Sequence, residues 1–299
     1  MKKRIKILLA IVIALVIVFA SAVGLVGNTS NFPAPVASGT QVRTAANKAE
    51  VDFSNTKDGY IMARWLGAAN ADARVVIIGP GNVQYQYRLN TAGTWEVFPL
   101  SDGNGQYTIR VMEGVGGGRF TAPINFNTTV TLATEFAPFL RPNQFVNFNA
   151  DSKAVAKAAE LVKGSTGVLD SVARVYNFVI ENVKYDHELA KTVQSGYVPD
   201  VDRTLETKKG ICFDYASLMT AMLRSQDIPT KLVVGYAGDA YHAWINVYSP
   251  ETGWINNLVY FDGSKWNLMD PTFASSAKQS TEVMKYIGDG KNYKAMYLY

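Results

Sequence analysis

The chain has 299 residues, 48% of them apolar, with 29 Lys and Arg against 25 Asp and Glu. That apolar content suits a folded chain rather than a disordered one. Four of the basic residues stand among residues 1–6, which hold no acid, so the remainder carries 25 of each sign and gives no charge-based reason to expect a nucleic-acid partner.

Residues 1–6 are strongly basic, and residues 7–27 carry no charge at all. Residues 1–27 therefore read as a signal peptide or membrane anchor. Ala20-Ser21-Ala22 fits a small-residue cleavage pattern, yet the apolar run, at roughly 20 residues, is also long enough to span a bilayer. The protein is expected to be exported, either secreted or anchored at the outer face of the membrane, which it would touch through this segment only. Residues 28–47, rich in Ser, Thr, Ala, Asn and Pro, read as a flexible linker.

From residue 48 to 137 the pattern becomes seven short β-like runs separated by Gly, Asn, Asp and Pro, which predicts an immunoglobulin-like β-sandwich. In the run from Val83 to Leu89, alternation sets Tyr85 and Tyr87 on one face and Gln84, Gln86 and Arg88 on the other. Residues 135–149 have no period and read as a connection. Beyond residue 150 the period changes to that of helices. One helix opens at Asp151 or Ser152 and stops at Gly164; a second takes Asp170 as its cap and shows Val172, Val175, Tyr176 and Val179 on one side. A polar loop then runs to about Lys209. A third helix follows, with Ile211, Tyr215, Leu218, Met219 and Met222 at helical spacing and Pro229 as its outer limit. Strand signals at residues 230–237, 241–248 and 266–270 complete an α+β domain over residues 150–299.

Cys212, the one cysteine, falls in the first turn of that third helix. Unpaired N–H groups and the positive end of the helix dipole favour thiolate there. A nucleophilic thiolate also needs a base and a group that orients the base. His242 lies on a predicted strand, sharing a face with Trp244 and Asn246, and Asp270 ends the next strong strand signal.

Taken together, Gly210, Cys212, Asp214 and Ala216, then His242 and Trp244, then Asp270, Pro271 and Thr272 resemble the core of the transglutaminase-like superfamily over about residues 168–273. The resemblance implies a papain-like α+β fold and a Cys212–His242–Asp270 triad. In that chemistry Cys212 attacks an amide carbonyl of a protein or peptide, a cell-wall or surface protein among the options. His242 shuttles the proton and Asp270 orients the imidazole. A thioester results, taken by water in a hydrolase or by an amine in an acyltransferase. Tyr185 is the candidate oxyanion donor, while Asp214 is expected to bond within the first helical turn and His187 to be a surface residue. Phe213 stands where animal transglutaminases have Trp, and no acidic cluster resembles a calcium loop, so no metal or other cofactor is expected. The alternative is a catalytically silent surface-binding or adhesion protein.

Overall fold

A computed structural model describes residues 34–256, 259–261, 266–268 and 293–299. The predicted signal or anchor segment and Asp270 lie outside the described residues, and no described helix is long and apolar enough to cross a membrane.

Eight strands come first: β1 (Val42–Ala45), β2 (Ala49–Asp52), β3 (Tyr60–Trp65), β4 (Ala73–Ile78), β5 (Gln84–Arg88), β6 (Glu96–Pro99), β7 (Gly105–Gly114) and β8 (Phe120–Val130). They form two antiparallel sheets, in the orders β1-β2-β3-β6 and β5-β4-β7-β8. Val51, Ile61 and Phe98 of the first sheet and Val75, Ile77 and Ile109 of the second are buried in one core. The linker expectation needs correction from residue 34 onward. Val36 N–H donates to the Tyr60 hydroxyl at 3.1 Å and Gly39 N–H to Asp52 at 2.6 Å, and β1 pairs with β2 through a turn in which Asn47 takes φ 58°. A polar segment is held here because its orphan N–H groups find partners on the sheet. The last two predicted runs are one strand, β8. Pro123 does not break it because β8 is an edge strand and the register shifts opposite residues 122–123, where no ladder bond is asked of proline.

The helical part holds α1 (Lys153–Val162), α2 (Val168–Asn182), α3 (His187–Thr192), α4 (Val201–Thr207) and α5 (Cys212–Arg224), with the two-residue strands β9 (Lys184–Tyr185) and β10 (Lys209–Gly210) between them. Asp170 is not the cap of α2. Gly167 holds that place, and Asp170, in the first turn, accepts from Thr166 N–H at 2.9 Å and pairs with Arg174. The N-terminus of α1 is served from another helix, since the Asp202 carboxylate of α4 accepts from Lys153 and Ala154 N–H. The expected polar loop contains α3 and α4, each started by an aspartate cap: Asp186 accepts from Leu189 N–H and Asp200 from Arg203 N–H, both at 3.0 Å.

The chain closes with β11 (Thr230–Ala237), β12 (Ala240–Ser249), β13 (Gly253–Ile255), β14 (Val259–Phe261), β15 (Trp266–Leu268) and β16 (Tyr293–Leu298). A third four-stranded antiparallel sheet runs β13-β12-β11-β16, and β14 pairs with β15. The helix α5 is not amphipathic in place: every residue from Asp214 to Arg224 is buried, with Ala243, Ile245 and Val247 of β12 in the same core. A helix enclosed on all sides sits at the centre of its domain. Its last residue, Arg224, donates to the carbonyls of Thr230, Arg141 and Tyr299 at 2.8, 2.7 and 2.5 Å. Burial pushes the guanidinium down to about 9, still charged at neutral pH.

Candidate active site

The approach to Cys212 is built by its neighbours. Ile211 is extended at the cap position, with φ −93° and ψ 178°, and Cys212 is the first residue of α5. The Asp214 carboxylate accepts from Ile211 N–H at 2.8 Å and from the Tyr197 hydroxyl at 2.7 Å. Asp214 thus does what the sequence suggested, bonding within its own first turn. Its carboxyl is raised by burial, which outweighs these two hydrogen bonds, while burial and the adjacent carboxylate push the Tyr197 phenol up. Gly210 makes room for the arrangement, because a Cβ there would stand 2.5 Å from Asp214 Cβ. The Gly-x-Cys-x-Asp spacing therefore has a local cause: glycine admits the aspartate, and the aspartate holds the turn that carries the thiol.

Cys212 is partly exposed and borders a cavity of about 620 Å³, together with His242, Tyr185, Tyr241, Phe213 and Gln86. Tyr185 arrives by backbone pairing. β9 runs parallel to β10, setting Tyr185 opposite Gly210, and Asp186 N–H donates to the Gly210 carbonyl at 2.9 Å. His187 is exposed beside it, edge-on to the Tyr185 ring at 5.0 Å.

His242 is buried and lies opposite Gly235 of β11. Its ring stacks along the strand on Trp244, 6.4 Å between centroids. Strand alternation gives Tyr241, Ala243 and Ile245 to the side that packs on α5, and His242, Trp244 and Asn246 to the other. The structure thus brings Cys212, Tyr185 and His242 to the border of one cavity, and strand alternation sets the His242 side chain on the face of β12 away from α5. Among the described residues β15 pairs only with β14, and β12 is flanked by β11 and β13; Asp270 lies outside the described residues.

Several cavity residues carry no sequence signal. Gln144 and Phe145 belong to the segment read as a mere connection, yet Gln144 is buried, and Phe145 accepts from the Ser217 hydroxyl of α5 at 2.5 Å. Phe145 meets Phe213 at 5.3 Å, Tyr299 at 4.8 Å and Tyr87 at 5.5 Å, so the first sheets, the connection, α5 and the chain's last strand share one aromatic seam. The wall facing the seam includes β5, an edge strand more than 120 residues upstream of Cys212. Only the alternation on β5 was visible beforehand, and it shows a strand but not what the strand faces.

The same stretch of chain matches a family model described as the transglutaminase-like superfamily over residues 155–271, a span that includes Cys212, His242 and Asp270. Residues 155–271 belong to that superfamily. The chain is 30% identical over 118 residues to the uncharacterized protein YebA of Bacillus subtilis, an alignment of 33% of this chain and 16% of that protein. It is 34% identical over 70 residues to a protein-glutamine gamma-glutamyltransferase of Pseudomonas aeruginosa, covering 18% of this chain and 10% of that enzyme. The chain therefore spans a small part of these relatives. Among solved structures it is similar to a Cytophaga hutchinsonii protein provisionally described as a cysteine protease, at 15% identity and a TM-score of 0.40 over 76% of this chain and 70% of that one. That score carries no argument about chemistry. The transglutaminase-like superfamily includes cysteine proteases and glutamine acyltransferases, so the domain is of cysteine-enzyme type at that level.

Proposed function

We propose that this protein is an exported transglutaminase-type cysteine enzyme that opens amide bonds of proteins or peptides through a thioester on Cys212. The observation that carries the reading is the thiol's position, in the first turn of a buried helix and open to a cavity that it shares with His242 and Tyr185. Cys212 sulfur bonds to the amide carbonyl carbon as His242 takes the thiol proton. Collapse of the tetrahedral intermediate breaks the C–N bond, and His242 returns the proton to the leaving amine. The Cys212 N–H and the Tyr185 hydroxyl are the proposed oxyanion donors. Asp270 is the proposed orienter of His242. Water then yields a carboxylic acid, or a lysine amine yields a new amide, and either regenerates the thiol. Residues 48–137 are proposed to be an immunoglobulin-like module and residues 150–299 the catalytic domain, displayed outside the cell.

The test is the iodoacetamide alkylation rate of Cys212 near neutral pH, followed by mass spectrometry in the wild type, His242→Ala and Asp270→Asn. An activated pair gives fast reaction that drops on the order of tenfold or more in His242→Ala. Equal rates in all three proteins would sink the enzyme reading and favour a silent binding protein.

A further inference from the structure

The second sheet of the first module has two edges, and they differ. β8 carries Pro123 and a register shift, devices that keep an edge from pairing with other chains. β5, with the sequence Gln-Tyr-Gln-Tyr-Arg, has neither and borders the cavity of Cys212. The direction of its main-chain groups follows from one bond. Leu89 N–H donates to Ala73 O at 2.9 Å, so the odd-numbered residues Tyr85, Tyr87 and Leu89 bond toward β4, and Gln84, Gln86 and Arg88 direct N–H and C=O away from it. The bond from Gln144 Nε2 to Arg88 O, at 2.6 Å, agrees with this phase and closes one end of the open stretch. The main-chain groups of Gln84 and Gln86 remain, aimed outward from the sheet and with no described hydrogen-bond partner on that side. A strand paired to β5 would lie about 4.8 Å from it. Both Gln84 and Gln86 border the cavity that holds the thiol.

We propose that β5 is a docking edge for substrate: an extended segment of the protein substrate adds to the sheet beside Gln84–Arg88 and so delivers an amide to Cys212. The mode is strand addition, in which main-chain bonds supply affinity and only alternate side chains are read. It rests on the cysteine-enzyme reading above and deepens it. The substrate class is a flexible or unfolded strand-forming segment rather than a folded surface or a single amino-acid amide. The polar cavity wall next to β5, with Gln84, Gln86 and Arg88, matches a hydrated peptide backbone better than a lipid or an apolar ligand.

The test uses the full chain and two probes: free chloroacetamide, and a nine-residue Thr- and Val-rich peptide bearing chloroacetamide on its central side chain. In both, Cys212 sulfur displaces chloride to form a thioether, read by mass spectrometry. Two further peptides carry N-methyl groups on odd or on even flanking residues, which removes one set of N–H donors each. The expected result is that the peptide labels Cys212 about tenfold faster than the free probe. One methylation phase should abolish that gain and the other should keep it. In Gln86→Pro, which removes one outward N–H at an edge where proline is tolerated, the ratio of peptide to free-probe rates should fall toward one. Equal effects of both methylation phases, or a full gain in Gln86→Pro, would overturn the docking edge while leaving the reactive thiol intact. No gain in the wild type would mean that another part of this chain or a second copy covers β5, and would overturn it too. If neither probe labels Cys212, the enzyme reading itself fails first.

Discussion

Gly210 and Asp214 give the cysteine its setting, and both can be tested one atom at a time. Adding a methyl in Gly210→Ala puts Cβ within 2.5 Å of Asp214 Cβ, so the first turn of α5 must shift. We expect a loss of about 1–3 kcal/mol of stability, read as a lower melting temperature, and slower alkylation of Cys212. Asp214 itself has a pH signature. Because burial raises its carboxyl in the folded state, it contributes stability that is fully present below its ordinary value of 3.8 and is lost as pH rises through the raised one. The stability of the wild type relative to Asp214→Asn should therefore grow as pH falls from about 7 to about 4. A difference that stays flat across that range would show that the carboxylate is compensated by its donors. At this scale the sequence was legible, since Asp214 does bond within its own turn, as expected. Asp170 was misassigned as the cap, which is Gly167: it acts on Thr166 from inside the first turn, a role that shares the sequence signature of a cap.

At the scale of elements, α5 and Arg224 decide how the helices and the last sheet stay together. A single guanidinium satisfies carbonyls from residues 141, 230 and 299. Arg224→Met should take one donor from each of these groups, of which the Tyr299 oxygen keeps Leu232 N–H, and cost roughly 2–4 kcal/mol, seen as an earlier urea midpoint with an unchanged slope. An unchanged midpoint would mean that the carbonyls find other donors. The strands β11 and β12 were expected nearly residue for residue, because each is a short, largely apolar run bounded by turn residues, Pro229 before, Gly238 and Asp239 between, and Pro250 after. α3 and α4 were hidden, since helices of 6 and 7 residues are too short to display a period and only their aspartate caps mark them. A break read at Asn127 made one long strand look like two.

Across the whole molecule, the aromatic seam joins the first sheets to the domain that carries Cys212. Tyr87 is fully buried and touches Phe98, Phe145 and Tyr299 at ring distances of 4.9, 5.5 and 5.8 Å. Apolar contact of this kind couples two modules into one folding unit. Calorimetry of the wild type should therefore show one transition, and Tyr87→Ala, at a cost of about 3–5 kcal/mol, should lower it or split it in two. Two independent transitions in the wild type would show that the seam does not couple them.

The sequence by itself determined the place of Cys212 in the first turn of a helix, the change from strand to helix period near residue 150, and most strand positions. Those depend on neighbours within one turn or one pleat, where residue spacing is the physics. Only the tertiary structure decided that β5 is an edge facing the thiol, that Gln144 and Phe145 belong to the site's wall, and that His242 borders the same cavity as Cys212. Those facts depend on contacts between residues about 30 to 210 positions apart, and such pairings are chosen by how whole surfaces fit together rather than by any local pattern.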